Sequence, residues 1–104
     1  MRQTFDSVIN EGTLVESIRG RDRGRIYLIL KVEPPFVYGA DGVYRSAAEP
    51  KKKRATHVRR WSSRLTPVEL DPSFYSAQPA EKDRQIRRLI EEAAKEVRRE
   101  VTDA

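Results

Sequence analysis

Apolar and polar positions alternate with a period of two through much of the first sixty residues, then switch to a helical period. Residues 13–19, TLVESIR, mix apolar and polar positions as a strand does, and Gly20 breaks them off. Arg21-Asp22-Arg23-Gly24 reads as a turn, because Asp accepts local backbone hydrogen bonds and Gly admits positive φ. Residues 25–33, RIYLILKVE, are the clearest strand. Period two places Ile26, Leu28, Leu30 and Val32 on one face and Tyr27, Ile29 and Lys31 on the other. Pro34-Pro35 ends it, since neither proline can donate to a ladder. Residues 36–39 and 43–45 flank Asp41-Gly42, a favoured tight-turn dipeptide, and predict a hairpin. Residues 46–56, SAAEPKKKRAT, are polar, contain Pro50 and read as a loop. His57 to Trp61 reads as a short closing strand.

From Pro79 the pattern is helical. Ile86, Leu89, Ile90, Ala93, Ala94, Val97 and Val101 form one apolar stripe at period 3.6, and Pro79 suits a first-turn position. Asp83–Arg87, Arg88–Glu92 and Glu91–Lys95 are opposite charges four apart on the polar side, each worth about 0.2–0.5 kcal/mol. The stripe must bury against the strands, a second copy or a partner.

A chain of 104 residues holds one compact domain and an appendage. The predicted organisation is an N-terminal extension (1–9), a strand domain (10–61), an irregular linker with a few apolar anchors (62–78) and a C-terminal helix (79–102). Four or five short strands with tight turns predict a mainly β domain, a small SH3-like barrel of about five strands with a C-terminal amphipathic α-helix. Closing such a sheet would remove its open edges.

Charge sharpens this picture. The net charge is +5, and residues 45–64 carry eight basic side chains against Glu49 alone. The whole positive excess lies in that window, which marks a binding patch for a polyanion better than the overall balance does. With no cysteine and a single histidine, thiol dyads, thiolate metal sites and multi-histidine metal sites are excluded. There is no Gly-rich GK[ST] phosphate loop. A Ser46, His57, Asp41 set can be written on paper, but no spacing supports it. No catalytic residue, metal or cofactor is expected. The N-terminus lacks the apolar core of a signal peptide and no apolar run is long enough to span a bilayer, so a cytoplasmic protein with no membrane partner is expected.

The stretch Gly12 to Ile29, with its apolar strand, Gly20/Gly24 turn and second apolar strand, resembles a KOW motif. The Asp41-Gly42 turn, Arg45, Pro50 to Arg54 and His57-Val58 extend the match over residues 10–61. Together they are similar to bacterial KOW-domain RNA-binding proteins, which relate to large-subunit ribosomal proteins of archaea and eukaryotes. The resemblance implies an SH3-like barrel that binds RNA, with rRNA or the ribosome the first candidate. This chain departs from the motif where lysine often follows the turn: it has Arg23 and Arg25, which carry the charge with a planar two-donor group.

Two clusters are the expected RNA contacts: Arg19, Arg21, Arg23 and Arg25 on the turn, and Arg45, Lys51, Lys52, Lys53, Arg54, His57, Arg59 and Arg60 on the loop and closing strand. Tyr27, Tyr44 and Trp61 are candidates to stack on unpaired bases. Other readings are a KOW- or SH3-like protein-binding adaptor in transcription or translation, docking a partner through the barrel and C-terminal helix, and a nucleoid-type DNA binder using the same patch.

Overall fold

The computed structural model describes residues 9–61 and 72–102, with side chains up to residue 98. Strands β1 (Leu14–Ser17), β2 (Ile26–Glu33), β3 (Phe36–Ala40), β4 (Lys51–Arg54) and β5 (Val58–Arg60) form one antiparallel sheet in the order β4-β3-β2-β1-β5. Helices α1 (Pro72–Ser76) and α2 (Pro79–Thr102) follow. The domain is mainly β with a C-terminal helix, as the periodicity predicts.

The edge strands β4 and β5 lie four spacings apart, about 19 Å in a flat sheet. Yet only a 3-10 turn of three residues, Ala55–His57, joins them, and such a turn spans roughly 6 Å. The sheet must therefore coil until its edges approach. Among the described residues no ladder pairs β4 with β5, so the coil stops short of the closed barrel expected from the sequence.

The register explains the core. Leu14 pairs with Leu28 and Leu28 with Ala40, which aligns three apolar side chains on the outer face. Val15 and Tyr27 pair on the inner face, where Ile9, Ile29, Val37 and Val58 join them. At Leu30 the ladder slips: Ile29 faces Gly39, but Lys31 faces Tyr38 and Val32 faces Val37. This bulge moves Val32 to the inner core and leaves Lys31 outside, so the strict alternation predicted for residues 25–33 holds only as far as Leu30.

The central strands are buried on both sides because α2 lies on the outer face. Ile86 and Ala93 pack with Leu14, Leu28 and Ala40, and Phe74 of α1 joins them. The predicted stripe thus packs on the sheet from Ile86 through Leu89 and Ile90 to Ala93. The predicted linker lies outside the described residues up to position 71; from Pro72 it forms α1, anchored by Phe74.

The predicted 36–39/43–45 hairpin does not form. The β3 hairpin partner is β2, through the Pro34-Pro35 turn, and β3 gives its other edge to β4. The side chain of Asp41 is the reason: its Oδ1 accepts the backbone N–H groups of Val43, Tyr44 and Arg45 at 2.9 Å each. Asp41 N and Gly42 N donate to the Arg45 carbonyl. This closed loop leaves no donors for a strand at 43–45.

Helix α2 clamps that loop. Arg87 Nη1 donates to the Gly42 carbonyl at 2.7 Å, and Asp83 Oδ1 accepts from Ala47 N at 2.7 Å. Asp83 and Arg87, predicted to pair along the helix, turn to the loop instead.

Candidate nucleic-acid interface

The turn between β1 and β2 closes through Gly24 N donating to the Ser17 carbonyl and Ser17 N donating to the Arg25 carbonyl. Gly24 stands at φ 91°, a conformation that suits glycine. The turn folds Asp22 inward. Tyr27 Oη donates to Asp22 Oδ2 at 2.6 Å and Ser17 Oγ donates to Asp22 Oδ1 at 2.8 Å. Lys53 of β4 completes the cluster, its Nζ donating to Asp22 Oδ1 at 2.9 Å, to Ser17 Oγ at 2.9 Å and to the Arg19 carbonyl at 2.8 Å.

Burial works against the Asp22 charge, but the hydrogen bonds from Tyr27, Lys53 and Ser17 and the attraction of Lys53 outweigh it. The carboxyl is held well below its ordinary range. Burial and the same hydrogen bond push the Tyr27 hydroxyl up to about 12, partly opposed by Arg25. This cluster ties the turn to β4 and so brings the two basic segments together. It also encloses Lys53, whose side chain is 9% exposed. Of the predicted contacts, Lys53 is the one whose charge is committed inside the protein.

Beside the cluster, Arg21, Arg25, Arg45 and Lys51 line one cavity of about 280 Å³, with Asp22 and Tyr27 completing its wall. The cations come from the turn, the 41–45 loop and β4, so they are separate in sequence and convergent in space. Because Lys53 already offsets Asp22, the cavity presents a net positive wall. A concave cationic wall focuses the field on an incoming anion.

Alternation along β4 sends Lys52 and Arg54 to the opposite, outer face. There they meet aromatic rings of β3. Lys52 Nζ lies 4.2 Å and Arg54 Cζ 5.3 Å from the Phe36 ring centre, and Lys31 Nζ lies 5.4 Å from that of Tyr38. Reading residues 46–56 as a loop concealed this face. Taking KKKR as a strand opposite FVYG would have exposed Phe36 and Tyr38 as its aromatic partners.

The remaining predicted contacts do not line the cavity. Arg19 and Arg23 are exposed on the turn. Arg59 donates to Glu16 Oε1 at 3.1 Å, across the β1–β5 ladder. Arg60 keeps its Nε buried without a hydrogen-bond partner. His57 is half-buried at the end of the 3-10 turn. Of the three candidate stacking rings, Tyr27 is buried and Trp61 packs against the outer core. Tyr44 is 70% exposed, with the Arg25 guanidinium 4.1 Å above its ring centre.

No protein-family model matches this chain, and no curated protein matches it. Among the described residues, no group of three or more His, Cys, Asp or Glu side chains is arranged to hold a metal ion. No described helix is long and apolar enough to cross a membrane.

Proposed function

We propose that this chain is a cytoplasmic RNA-binding protein, with rRNA its first candidate ligand in a ribosome-associated or ribosome-assembly role. The observation that carries the reading is the convergence of Arg21, Arg25, Arg45 and Lys51 on one cavity. Four cations drawn together from three segments repel one another, and a bound phosphate relieves that repulsion. The outer face adds Lys52 and Arg54 beside Phe36, a pairing of charge for the backbone and aromatic surface for bases. The KOW resemblance of residues 10–61 points the same way.

The adaptor reading draws on the barrel together with the apolar stripe of the C-terminal helix. That stripe packs on the sheet through Ile86 and Ala93, which leaves the cationic surfaces as the better-supported contact.

The test is a titration of the protein with structured RNA, single-stranded RNA and duplex DNA at several salt concentrations. About five phosphate contacts to a single strand give a slope of about −3.5 in log K against log salt. No RNA binding at about 50 mM salt rejects the reading, and tighter binding to duplex DNA replaces it with the nucleoid one. Crosslinking followed by RNA sequencing in the native host then identifies the ligand.

A further inference from the structure

A second cavity, of about 270 Å³, lies between the 41–45 loop and α2 and is mainly apolar, with Ile26, Val43, Tyr44 and Ile90 in its wall. Arg25 lines both this groove and the cationic cavity. Each is slightly smaller than the roughly 300 Å³ at which small-molecule pockets begin, so each suits a fragment rather than a whole ligand. We propose that the two together hold one unpaired nucleotide of an RNA strand, its phosphate among Arg21, Arg25, Arg45 and Lys51 and its base in the groove against Tyr44. This rests on the RNA-binding reading above and specifies which part of the RNA is gripped.

Three observations carry the assignment. First, charge fixes the direction. The cavity sets four cations against Asp22 alone, whereas the groove wall balances Asp41 and Glu91 with Arg25 and Arg87 and so offers a phosphate no net attraction. The uncharged, flat end of a nucleotide is the part that the groove accepts.

Second, Val43 and Tyr44 are 66% and 70% exposed, and among the described residues the other exposed large hydrophobic side chain is Tyr75. An exposed aromatic ring beside a cationic cavity is what base stacking uses. The Arg25 guanidinium against the Tyr44 ring adds a second planar group.

Third, the loop is built before any ligand arrives. Asp41 binds three successive N–H groups, and Arg87 and Asp83 hold the loop on α2. Tyr44 enters the groove and Arg45 enters the cavity from adjacent positions of that one loop, so base and phosphate contacts are set together. A preformed site of this kind lowers the ordering cost of binding.

The experiment measures fluorescence anisotropy with three ligands of equal length: single-stranded RNA, the same strand with abasic residues, and fully paired RNA. Wild-type protein, Tyr44→Ala and Tyr44→Phe are compared, with a thermal melt to verify that each is folded. The expected result is that Tyr44→Ala lowers affinity for the intact single strand roughly 5- to 150-fold, the range for losing one stacked base. Affinity for the abasic and paired ligands stays unchanged, and Tyr44→Phe retains binding. If Tyr44→Ala leaves single-strand affinity unchanged, or lowers all three equally, the base site is wrong while RNA binding stands. If the wild type binds none of the three, the RNA-binding reading itself fails. A free 5′-mononucleotide that displaces the strand at micromolar concentration reassigns the site to a small nucleotide and overturns the proposal.

Discussion

Lys53 Nζ lies 2.9 Å from Asp22 Oδ1, and each of the two side chains is only 9% exposed. The pair links β4 to the β1–β2 turn across 31 residues of sequence. Removing one partner of a buried pair strands the other charge, at a cost of about 3–5 kcal/mol. Lys53→Met is therefore expected to destabilise the domain by about that amount. Its neighbour Lys52 is exposed on the outer face, and Lys52→Ala is expected to shift stability by no more than about 0.5 kcal/mol. Urea unfolding of the two variants separates them. Equal stability would show that the buried cluster does not hold the fold.

The same cluster sets the pH dependence. The Asp22 carboxyl is depressed in the folded chain, so the unfolded chain binds more protons just below about pH 4, the ordinary carboxylate range. Stability is then complete above that range and is lost as pH falls toward the folded value. The Tyr27 hydroxyl is raised from 10 to about 12, so the folded chain holds its proton longer. Stability from Tyr27 is complete below pH 10 and is lost as pH rises toward about 12. Urea midpoints across both limbs are the measurement, and Tyr27→Phe is expected to flatten the alkaline one.

The fold was legible where one face of a segment had one role. The strands at 14–17, 26–33 and 58–60 and the helix from Pro79 follow from apolar spacing. Lys51–Arg54 was not legible, because four consecutive cations look like a solvated loop. The structure makes them a strand by giving alternate members different partners: Lys53 goes to Asp22, while Lys52 and Arg54 go to Phe36. The hairpin expected around Asp41-Gly42 was lost because a dipeptide cannot reveal that the carboxylate will take three backbone donors. The cation-rich window was visible, but its sorting into a cavity, an outer face and a buried pair depends on register, which no charge count contains.

Gly42 combines a positive φ of 78° with close approach to α2, where a Cβ would run into the Asp83 carbonyl. Gly42→Ala is expected to cost more than about 1 kcal/mol and to lift the 41–45 loop away from the helix. Loop displacement is read as loss of amide exchange protection at Val43, Tyr44 and Arg45, whose N–H groups all bind Asp41. Unchanged protection would mean that the helix does not hold the loop.

Ile86 decides whether α2 belongs to the domain or waits for a partner. It has no exposed surface and packs with Leu14, Leu28 and Ala40 on the outer face of the sheet. A helix kept for a partner would carry its apolar stripe at little benefit to the isolated chain, and shortening one stripe residue would leave stability almost unchanged. A helix that completes the core behaves differently: Ile86→Ala removes buried methyl groups and leaves a cavity that rigid strands cannot collapse around. The expected cost is about 2–5 kcal/mol, read as a lower urea midpoint of the full chain. The exposed Arg88 on the same helix serves as the control, since Arg88→Ala removes no core contact and is expected to shift stability by less than about 0.5 kcal/mol. Equal, small effects from both variants would detach the helix from the fold and revive the adaptor reading.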